Sequence, residues 1–153
     1  RLLKGMKVGK KTARVHLDGY NISDRLAGKG ENPRKEFFYW NDDGSLVGLR
    51  YGDWKIVFQE QRSEGLAVWQ DPFTSLRFPK LFNLRSDPFE SADHMGMGYS
   101  KWRLDRAFLL VRAQEFIAKY IATFKEFPPS QKVGSFSLDQ VLERLTAAST
   151  SGK

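Results

Sequence analysis

The 153-residue chain contains no cysteine and only two histidines. The lack of Cys excludes disulfides, thiol nucleophiles and thiolate metal sites within these residues. His16 and His94 lie far apart and outside any metal-ligand spacing, so neither marks a metal centre. No apolar run is long enough for a membrane span, and the apolar stretch near the N-terminus is too short and broken for a signal peptide. The chain nevertheless has the length of one domain and can bury a core.

Familiar catalytic motifs are missing as well. The sequence holds no Gly-x-Ser-x-Gly, no glycine-rich phosphate loop and no His-Glu-x-x-His. The Gly-Met-Gly stretch at 96–98 is only a loop fragment. A chain of this size without a recognisable chemical centre predicts a subdomain of a larger protein rather than a whole enzyme.

The charge is unevenly placed. The formal net charge is +7. Residues 1–35 hold ten basic and three acidic side chains, whereas the remaining residues hold fifteen of each. A nucleic-acid surface is a basic face interleaved with aromatic side chains, and this basic leader is nearly free of aromatics. We therefore expect no nucleic-acid partner. A nucleic-acid-binding domain that uses the basic leader remains the less favoured alternative.

The hydrophobic pattern predicts an α+β fold, in which a roughly four-stranded antiparallel sheet packs against a long C-terminal helix. The predicted strands are KEFFYWN, SLVGLRY, WKIVFQEQ and PKLFNLR. Turns at Asn41–Gly44 and Gly52–Asp53 are too short for parallel crossovers. Trp54, Ile56 and Phe58 share one strand face, and residues 62–78 are predicted to be irregular.

Helices are predicted at both ends. After a short strand and a turn at Asp18-Gly19, Asn21 or Ser23 caps a brief helix that Gly28 ends. A long helix runs from Ser100 to the stop at Pro128-Pro129, and a short terminal helix, SLDQVLERL, begins with a capping box. The long helix carries two apolar stripes, which indicates burial on two sides or self-association of the isolated chain.

The segment PKLFNLRSDPFESAD contains three acids that allow two interpretations. Asp87, Glu90 and Asp93 would supply oxygen ligands for a hard cation. However, the central Gly and alternating acids of a calcium loop are missing. Asp before Pro is typical of a turn in which the carboxylate accepts downstream backbone N–H groups. We favour the turn.

Three stretches, in the right order, resemble the C-terminal end of sulfatases. DGYNISDRLAGKGENPRKEFFYW resembles their Asp-Gly, short-helix, Arg, aromatic-strand passage, and LRYGDWKIVF resembles their Arg-x-Gly-x-Trp-Lys strand. KLFNLRSDPFESAD resembles their Leu-Tyr/Phe-Asn/Asp-Leu-x-x-Asp-Pro-x-Glu segment, with Asp93 where the family usually has Asn. FKEFPPSQKVGSFSLDQVLERL is similar to the tail of bacterial arylsulfatases. The matching positions are Asp18, Gly19, Arg34, Arg50, Gly52, Trp54, Lys55, Leu81, Asn83, Leu84, Asp87, Pro88 and Glu90.

The resemblance implies a parent enzyme that hydrolyses sulfate esters with a formylglycine, matured from Cys or Ser in a Cys/Ser-x-Pro-x-Arg motif, and a divalent cation, usually calcium. This sequence has neither that motif nor a matching acid cluster. No catalytic or metal-binding residue is carried over, and we expect the isolated chain to be inactive. The implied roles of the matching positions are structural.

We therefore predict a C-terminal subdomain of an arylsulfatase, with a basic leader at 1–18 extending from a missing N-terminal catalytic domain, the subdomain at 19–147 and a frayed tail at 148–153. Its expected partners are that catalytic domain and, through the parent, a sulfate ester, but no membrane. Trp69 and Phe73 either wall the substrate cleft or simply cover the sheet edge. The parent's compartment is left open between bacterial periplasm and cytoplasm, and a free-standing interaction module remains an alternative.

Overall fold

The computed structural model describes residues 4–128, and its centre is an antiparallel sheet of four strands in the order β3-β4-β5-β6. The elements are β1 (Met6–Val8), β2 (Lys11–Ala13), α1 (Ser23–Leu26), β3 (Glu36–Trp40), β4 (Leu46–Tyr51), β5 (Trp54–Glu60), a 3₁₀ helix (Gly65–Trp69), β6 (Thr74–Asn83), α2 (Ala92–Met95), α3 (Tyr99–Leu104) and α4 (Phe108–Thr123). The α+β class and the four antiparallel strands are confirmed. The predicted helix at 137–145 and the tail at 148–153 lie outside the described residues.

The two predicted hairpin turns join β3 to β4 and β4 to β5. At the first, the Asn41 side chain accepts a 2.7 Å hydrogen bond from the backbone N–H of Ser45. At the second, Gly52 has φ +56°, in the left-handed region that two-residue hairpins need and that Gly enters without strain. The register then pairs Tyr51 with Trp54 and Arg50 with Lys55.

The last strand is longer than the sequence predicts. β6 starts at Thr74, so the predicted irregular stretch 62–78 is wrong in part: it contains a 3₁₀ helix and the first half of a strand. Its pairing with β5 is interrupted, because Val57 opposes Lys80 whereas Gln59 opposes Ser75. Pro79 lies in this gap and has no N–H to donate, which confines such a residue to an edge strand or a bulge.

The core lies between one side of the sheet and α4, and we call this the helix side. Leu49, Ile56, Leu81 and Ala113 are buried there, with Phe38, Trp54, Phe58, Trp102, Leu109, Leu110, Phe116 and Ile117 packed around them. Lys55, Val57, Lys80 and Phe82 oppose one another in the register and occupy the far side. The alternation expected for β5 is confirmed, since Trp54, Ile56 and Phe58 all contact the core.

The predicted single helix from Ser100 to Phe127 is two helices, α3 and α4, joined by a tightened turn. The backbone N–H groups of Arg106 and Ala107 donate to the carbonyls of Arg103 and Leu104, three residues earlier in the chain. The Arg106 guanidinium donates a 3.1 Å hydrogen bond to the Trp102 carbonyl. In a continuous α-helix, that carbonyl would instead accept from the backbone N–H of Arg106. The α4 helix ends at Thr123 and a turn of the same kind continues to Phe127.

The leader also differs from the prediction. β1 and β2 form a separate two-stranded sheet, whereas the strand expected after Val15 is replaced by irregular chain up to Ile22. Arg14 forms a 2.5 Å ion pair with Glu126 and lies over the ring of Phe127, which is also 5.4 Å from the ring of His16. The leader therefore rests against the end of the helical layer. Among residues 4–128, no helix is long and apolar enough to cross a membrane.

Candidate functional site

The three stretches of sulfatase-like sequence meet around the Gly52–Asp53 turn. The Gly52 N–H donates to the Lys35 carbonyl at 3.3 Å, which links the first stretch to the second. The Leu84 N–H donates to the Asp53 carbonyl at 2.7 Å, which links the third stretch to the second. Residues far apart in the sequence are thereby fastened to one short turn, and Gly52 makes that turn possible.

Arg34 and Asp18, both in the first stretch, also meet. The Arg34 guanidinium donates to the Asp18 carbonyl at 2.9 Å, across sixteen residues of sequence. The same guanidinium lies over the rings of Tyr20 and Phe37 at 5.4 and 5.5 Å. Arg34 thus holds the chain around Gly19 against the edge strand β3 by a hydrogen bond and cation–π contacts.

An open cleft of about 780 Å³ lies beside the turn. It is lined by Asn32, Arg34, Lys35, Glu36, Phe37, Tyr39, Arg50, Tyr51, Gly52, Asp53 and Trp54. Its cations already have partners: Lys35 contacts Glu31 at 2.9 Å, and Arg50 Nε donates to the Gly52 carbonyl at 3.2 Å. The cleft therefore combines aromatic walls with cations that already contact neighbouring acceptor groups.

Asp87 organises the turn after β6. Its Oδ1 accepts hydrogen bonds from the N–H of Ser91 at 3.0 Å and the hydroxyl of Ser91 at 3.1 Å, and its Oδ2 accepts from the N–H of Ala92 at 2.9 Å. The backbone N–H groups of Ser91 and Ala92 hold the pKa of this carboxyl below its ordinary value. The geometry is that of a turn-forming aspartate, and the exposed Pro88 follows it in the same turn.

Glu90 departs from ordinary backbone geometry. Its φ is +56°, the only left-handed non-glycine residue in the described part of the chain. Such a conformation costs a bulky residue about 1–3 kcal/mol. Both Glu90 carboxylate oxygens accept from Lys55 Nζ, at 2.6 and 2.8 Å, and that ammonium lies 4.9 Å from the centre of the Tyr39 ring. The charged pair ties the turn to the far side of the sheet.

The third acid, Asp93, belongs to a cluster that sequence analysis missed. Lys80 Nζ lies 2.5 Å from Glu60 Oε2 and 2.5 Å from Asp93 Oδ2. Burial lowers the pKa of Lys80, but hydrogen bonds with Asp93 and Glu60 outweigh it, so the net pKa is raised. The hydrogen bond from Lys80 lowers the pKa of Glu60. Both shifts favour the charged forms.

Asp93 is the most buried member of this cluster, with a side chain only 7% exposed. Its Oδ1 has no hydrogen-bond partner in the described residues, and His94 Nε2 is 3.5 Å away, too far for a good hydrogen bond. The sequence signal that could have revealed the cluster is weak, because Glu60, Lys80 and Asp93 are brought together only by the β5–β6 pairing.

The remaining matching positions shape the end of β6. Leu81 is 2% exposed in the core, and its N–H and carbonyl both bond to the Tyr99 hydroxyl at 3.0 Å. Burial raises the pKa of that hydroxyl, which keeps it neutral and able to donate. The Asn83 side chain accepts from the N–H groups of Arg85 and Ser86 at 3.1 and 3.3 Å. Tyr99 thus caps an edge strand whose backbone would otherwise be unpaired.

Trp69 and Phe73 lie apart from these residues, between β5 and β6. Trp69 is 81% exposed at the end of the 3₁₀ helix, whereas Phe73 is half-buried just before β6. The connection is held by Gln61, whose side chain donates to the carbonyls of Val68 and Asp71 at 3.3 and 2.9 Å. A covering role fits Phe73 better than Trp69, which presents its indole to solvent.

The acids of the 87–93 segment do not form a metal site. Within residues 4–128, no group of three or more His, Asp or Glu side chains could hold a metal ion. The acids of the 87–93 segment accept hydrogen bonds from backbone and lysines, so they do not converge on a common point. These side chains fasten neighbouring segments of the chain to one another.

Comparison with known proteins gives a partial likeness. No family model matches the chain. Human Arylsulfatase A is 29% identical over 93 residues, which cover 54% of this chain and 18% of the human protein. Among solved structures, the PsFucS1 sulfatase from Pseudoalteromonas sp. shares 26% sequence identity at a TM-score of 0.44, covering 68% of this chain and 19% of that one. A TM-score at this level does not establish a common fold.

The chain spans about a fifth of the length of each of these relatives. The sequence similarity to Arylsulfatase A nevertheless extends over more than half of this chain. The chain is therefore similar in sequence to part of a sulfatase.

Proposed function

We propose that this chain is the C-terminal structural subdomain of an arylsulfatase-type sulfuric ester hydrolase. The observation that carries the proposal is the asymmetry of the alignment with human Arylsulfatase A, which takes in 54% of this chain but only 18% of that enzyme. The likeness is to a part, and the backbone hydrogen bonds of Gly52 and Leu84 around the Gly52–Asp53 turn support a structural role for these matching positions.

Formylglycine and a divalent cation would supply the chemistry in such a parent. Residues 4–128 do not fit a cation site, since no three of their acidic or histidine side chains lie together in a way that could hold a metal ion. Formylglycine also requires a Cys or Ser in a motif that this sequence lacks. The catalytic groups accordingly belong to other parts of the parent, and this chain stabilises the enzyme's fold.

Exposed apolar side chains support a role inside a larger protein. The connections that flank β6 present five large apolar residues, each at least 81% exposed: Leu66, Trp69, Phe89, Met95 and Met97. Single exposed apolar residues are ordinary, but large exposed apolar patches are typical of contact surfaces. We assign these exposed side chains to contacts with the parent's catalytic domain, with Trp69 as the residue that borders the substrate cleft.

The coding sequence upstream of Arg1 is the first test. A Cys/Ser-x-Pro-x-Arg motif is expected there, and its absence would contradict the proposal. The parent should hydrolyse an aryl sulfate in the presence of calcium, and a parent truncated just before Arg1 should lose that activity. Turnover by the isolated chain above the buffer rate would show that a nucleophile or metal site within it has been overlooked.

The role of Trp69 has its own test in the parent. Trp69→Ala should raise KM for an aryl sulfate several-fold with little change in kcat, because a cleft wall binds substrate and transition state alike. Leu66→Ala is the matched control, since Leu66 is 84% exposed in the same 3₁₀ helix. Equal kinetic constants for the two variants would remove Trp69 from the cleft.

A further inference from the structure

Two arginines that line the open cleft beside the Gly52–Asp53 turn have unused hydrogen-bond donors. A guanidinium carries five N–H donors. Arg50 uses one of them, from Nε to the Gly52 carbonyl, and Arg34 uses one, to the Asp18 carbonyl. Among residues 4–128, no carboxylate forms an ion pair with either guanidinium. The remaining donors are therefore available to an oxyanion from outside this part of the chain.

Phe37 brings the two arginines to one side of the sheet. The Arg34 guanidinium lies 5.5 Å from the centre of the Phe37 ring, and Arg50 is directly opposite Phe37 in the β3–β4 register. Side chains that oppose each other in antiparallel strands point to the same side of a sheet. The Phe37 ring is 44% exposed and makes an edge contact with the Tyr39 ring at 4.8 Å. An accessible aromatic surface is thus flanked by two cations.

Both guanidiniums are held in place by the chain itself. Each donates to a backbone carbonyl, and Arg34 also lies over the Tyr20 ring at 5.4 Å. The turn that supplies the Gly52 carbonyl is fastened in its turn, because the Gly52 N–H donates to the Lys35 carbonyl at 3.3 Å. A side chain that is already held loses less conformational freedom when a ligand binds. The two arginines are therefore preorganised donors.

The charges that line the cleft favour an anion. The lining contains three basic residues, Arg34, Lys35 and Arg50, and two acidic residues, Glu36 and Asp53. Glu36 precedes Phe37 in β3, and successive side chains of a strand point to opposite faces of the sheet. The Glu36 carboxylate therefore points away from the side that carries Phe37 and Arg50. Asp53, in the turn, is the acid whose charge opposes a bound anion.

We propose that this cleft binds a small aromatic molecule that carries an oxyanion, either a carboxylate or a sulfonate-type group. The oxyanion accepts hydrogen bonds from Arg34 and Arg50, whose planar guanidiniums match the geometry of such groups. The aromatic ring of the ligand packs against the rings of Phe37 and Tyr39. The cleft volume of about 780 Å³ lies within the usual range for small-molecule sites, about 300–1,000 Å³. This binding activity goes beyond the proposed structural role and does not rest on it.

Calorimetric titration of the full 153-residue chain with naphthalene sulfonate tests the ligand class. Naphthyl methanol presents the same ring without a charge, and inorganic sulfate presents the charge without a ring. Each of these two compounds should bind at least about tenfold more weakly than naphthalene sulfonate, the usual effect of losing a hydrogen bond to a charged group or the packing of a ring. Equal affinities for naphthalene sulfonate and naphthyl methanol would overturn the proposal.

Two substitutions in the cleft should change the affinity for naphthalene sulfonate in opposite directions. Arg50→Gln should weaken binding about tenfold, because it removes charge-assisted hydrogen bonds. Asp53→Asn should strengthen binding about two- to fivefold, because it removes an opposing charge at almost constant size, and a loss of folding cannot raise an affinity. Arg85→Gln, an exposed cation outside the cleft, is the matched control and should bind as the wild type does. Equal losses in Arg50→Gln and Arg85→Gln, or weaker binding by Asp53→Asn, would contradict the proposal.

Backbone amide chemical shifts locate the bound probe. Naphthalene sulfonate should shift the amide resonances of residues 34–39 and 50–54 most strongly. Shifts centred on residues 65–69 and 95–97, where Leu66, Trp69, Met95 and Met97 are exposed, would mean attachment to apolar surface and would overturn the proposal. These measurements follow binding alone and use no sulfatase activity, so a negative result here leaves the proposed function standing.

Discussion

The two sides of the central sheet are covered by different kinds of contact. On the helix side, Leu49 and Leu81 are 0% and 2% exposed and pack against Ala113 of α4. On the far side, the buried Phe82 is accompanied by two lysines that bind acids of the connection after β6. Apolar contacts are non-directional and tolerate small shifts, whereas each ion pair needs two particular side chains in one geometry. We therefore expect substitutions on the helix side to lower the free energy of unfolding by a large amount at every pH. Substitutions on the far side should have smaller effects that depend on pH.

The largest effect is expected on the helix side. Leu81→Ala should lower the free energy of unfolding by about 2–5 kcal/mol, since truncating a fully buried Leu removes its burial and leaves a cavity. Leu66→Ala is the matched control, because Leu66 is 84% exposed and should change stability by no more than about 0.5 kcal/mol. Urea unfolding followed by tryptophan fluorescence measures both. Similar costs for the two would refute the assignment of Leu81 to the core.

On the far side, the largest effect should come from Lys80. Lys80→Met removes the ammonium that contacts Glu60 and Asp93, and it leaves the carboxylate of Asp93 without its counter-charge at 7% exposure. The expected loss is about 1–3 kcal/mol, because unpaired, partly buried charges carry a desolvation cost. Arg85→Met, an exposed cation two residues beyond β6, is the control and should be nearly neutral.

The same substitution should change the pH profile in a defined direction. Because folding lowers the pKa of Glu60, this group stabilises the folded state at pH values above 4.5, its pKa in the unfolded chain. That stabilisation is lost as the pH falls through the pKa of the folded state. Because folding raises the pKa of Lys80, this group stabilises the folded state at pH values below 10.5, its pKa in the unfolded chain. That stabilisation is lost as the pH rises through the pKa of the folded state. The difference between wild type and Lys80→Met should therefore be greatest between about pH 4.5 and 10.5. A difference that does not vary outside that window would contradict the ion-pair explanation.

A smaller effect is expected at Glu90, where a strained backbone and an ion pair oppose each other. Glu90→Gln should cost about 1 kcal/mol, because it weakens the pair with Lys55 and keeps the left-handed strain. Glu90→Gly also loses the pair but removes the strain at φ +56°, so it should melt at a higher temperature than Glu90→Gln. The reverse order of melting temperatures would contradict the assignment of backbone strain to Glu90.

The sequence predicts the helix side far better than the far side. Strand alternation placed Trp54, Ile56 and Phe58 on one face without knowledge of pairing, because burial follows the period of a strand. The Lys80 cluster depends on the interrupted β5–β6 register, which no local pattern encodes. The sequence also failed to predict the break between α3 and α4. There the Arg106 side chain donates to the Trp102 carbonyl in place of the helical backbone N–H, and helix propensity does not record such a contact.

The smallest effect is expected in the basic leader, which belongs to neither side of the sheet. Lys7, Lys10 and Lys11 are all exposed on the β1–β2 hairpin, and neither strand contains an aromatic residue of the kind that a nucleic-acid surface would interleave with them. Replacing Lys10 and Lys11 with Gln should change stability by less than about 0.5 kcal/mol. Any binding to DNA or RNA should weaken steeply with salt, because counterion release would be its only source, and it should be negligible near physiological ionic strength. A fluorescence-anisotropy titration at several salt concentrations measures this. Tight, sequence-dependent binding that survives physiological salt and is abolished by the double substitution would instead make the hairpin a nucleic-acid site.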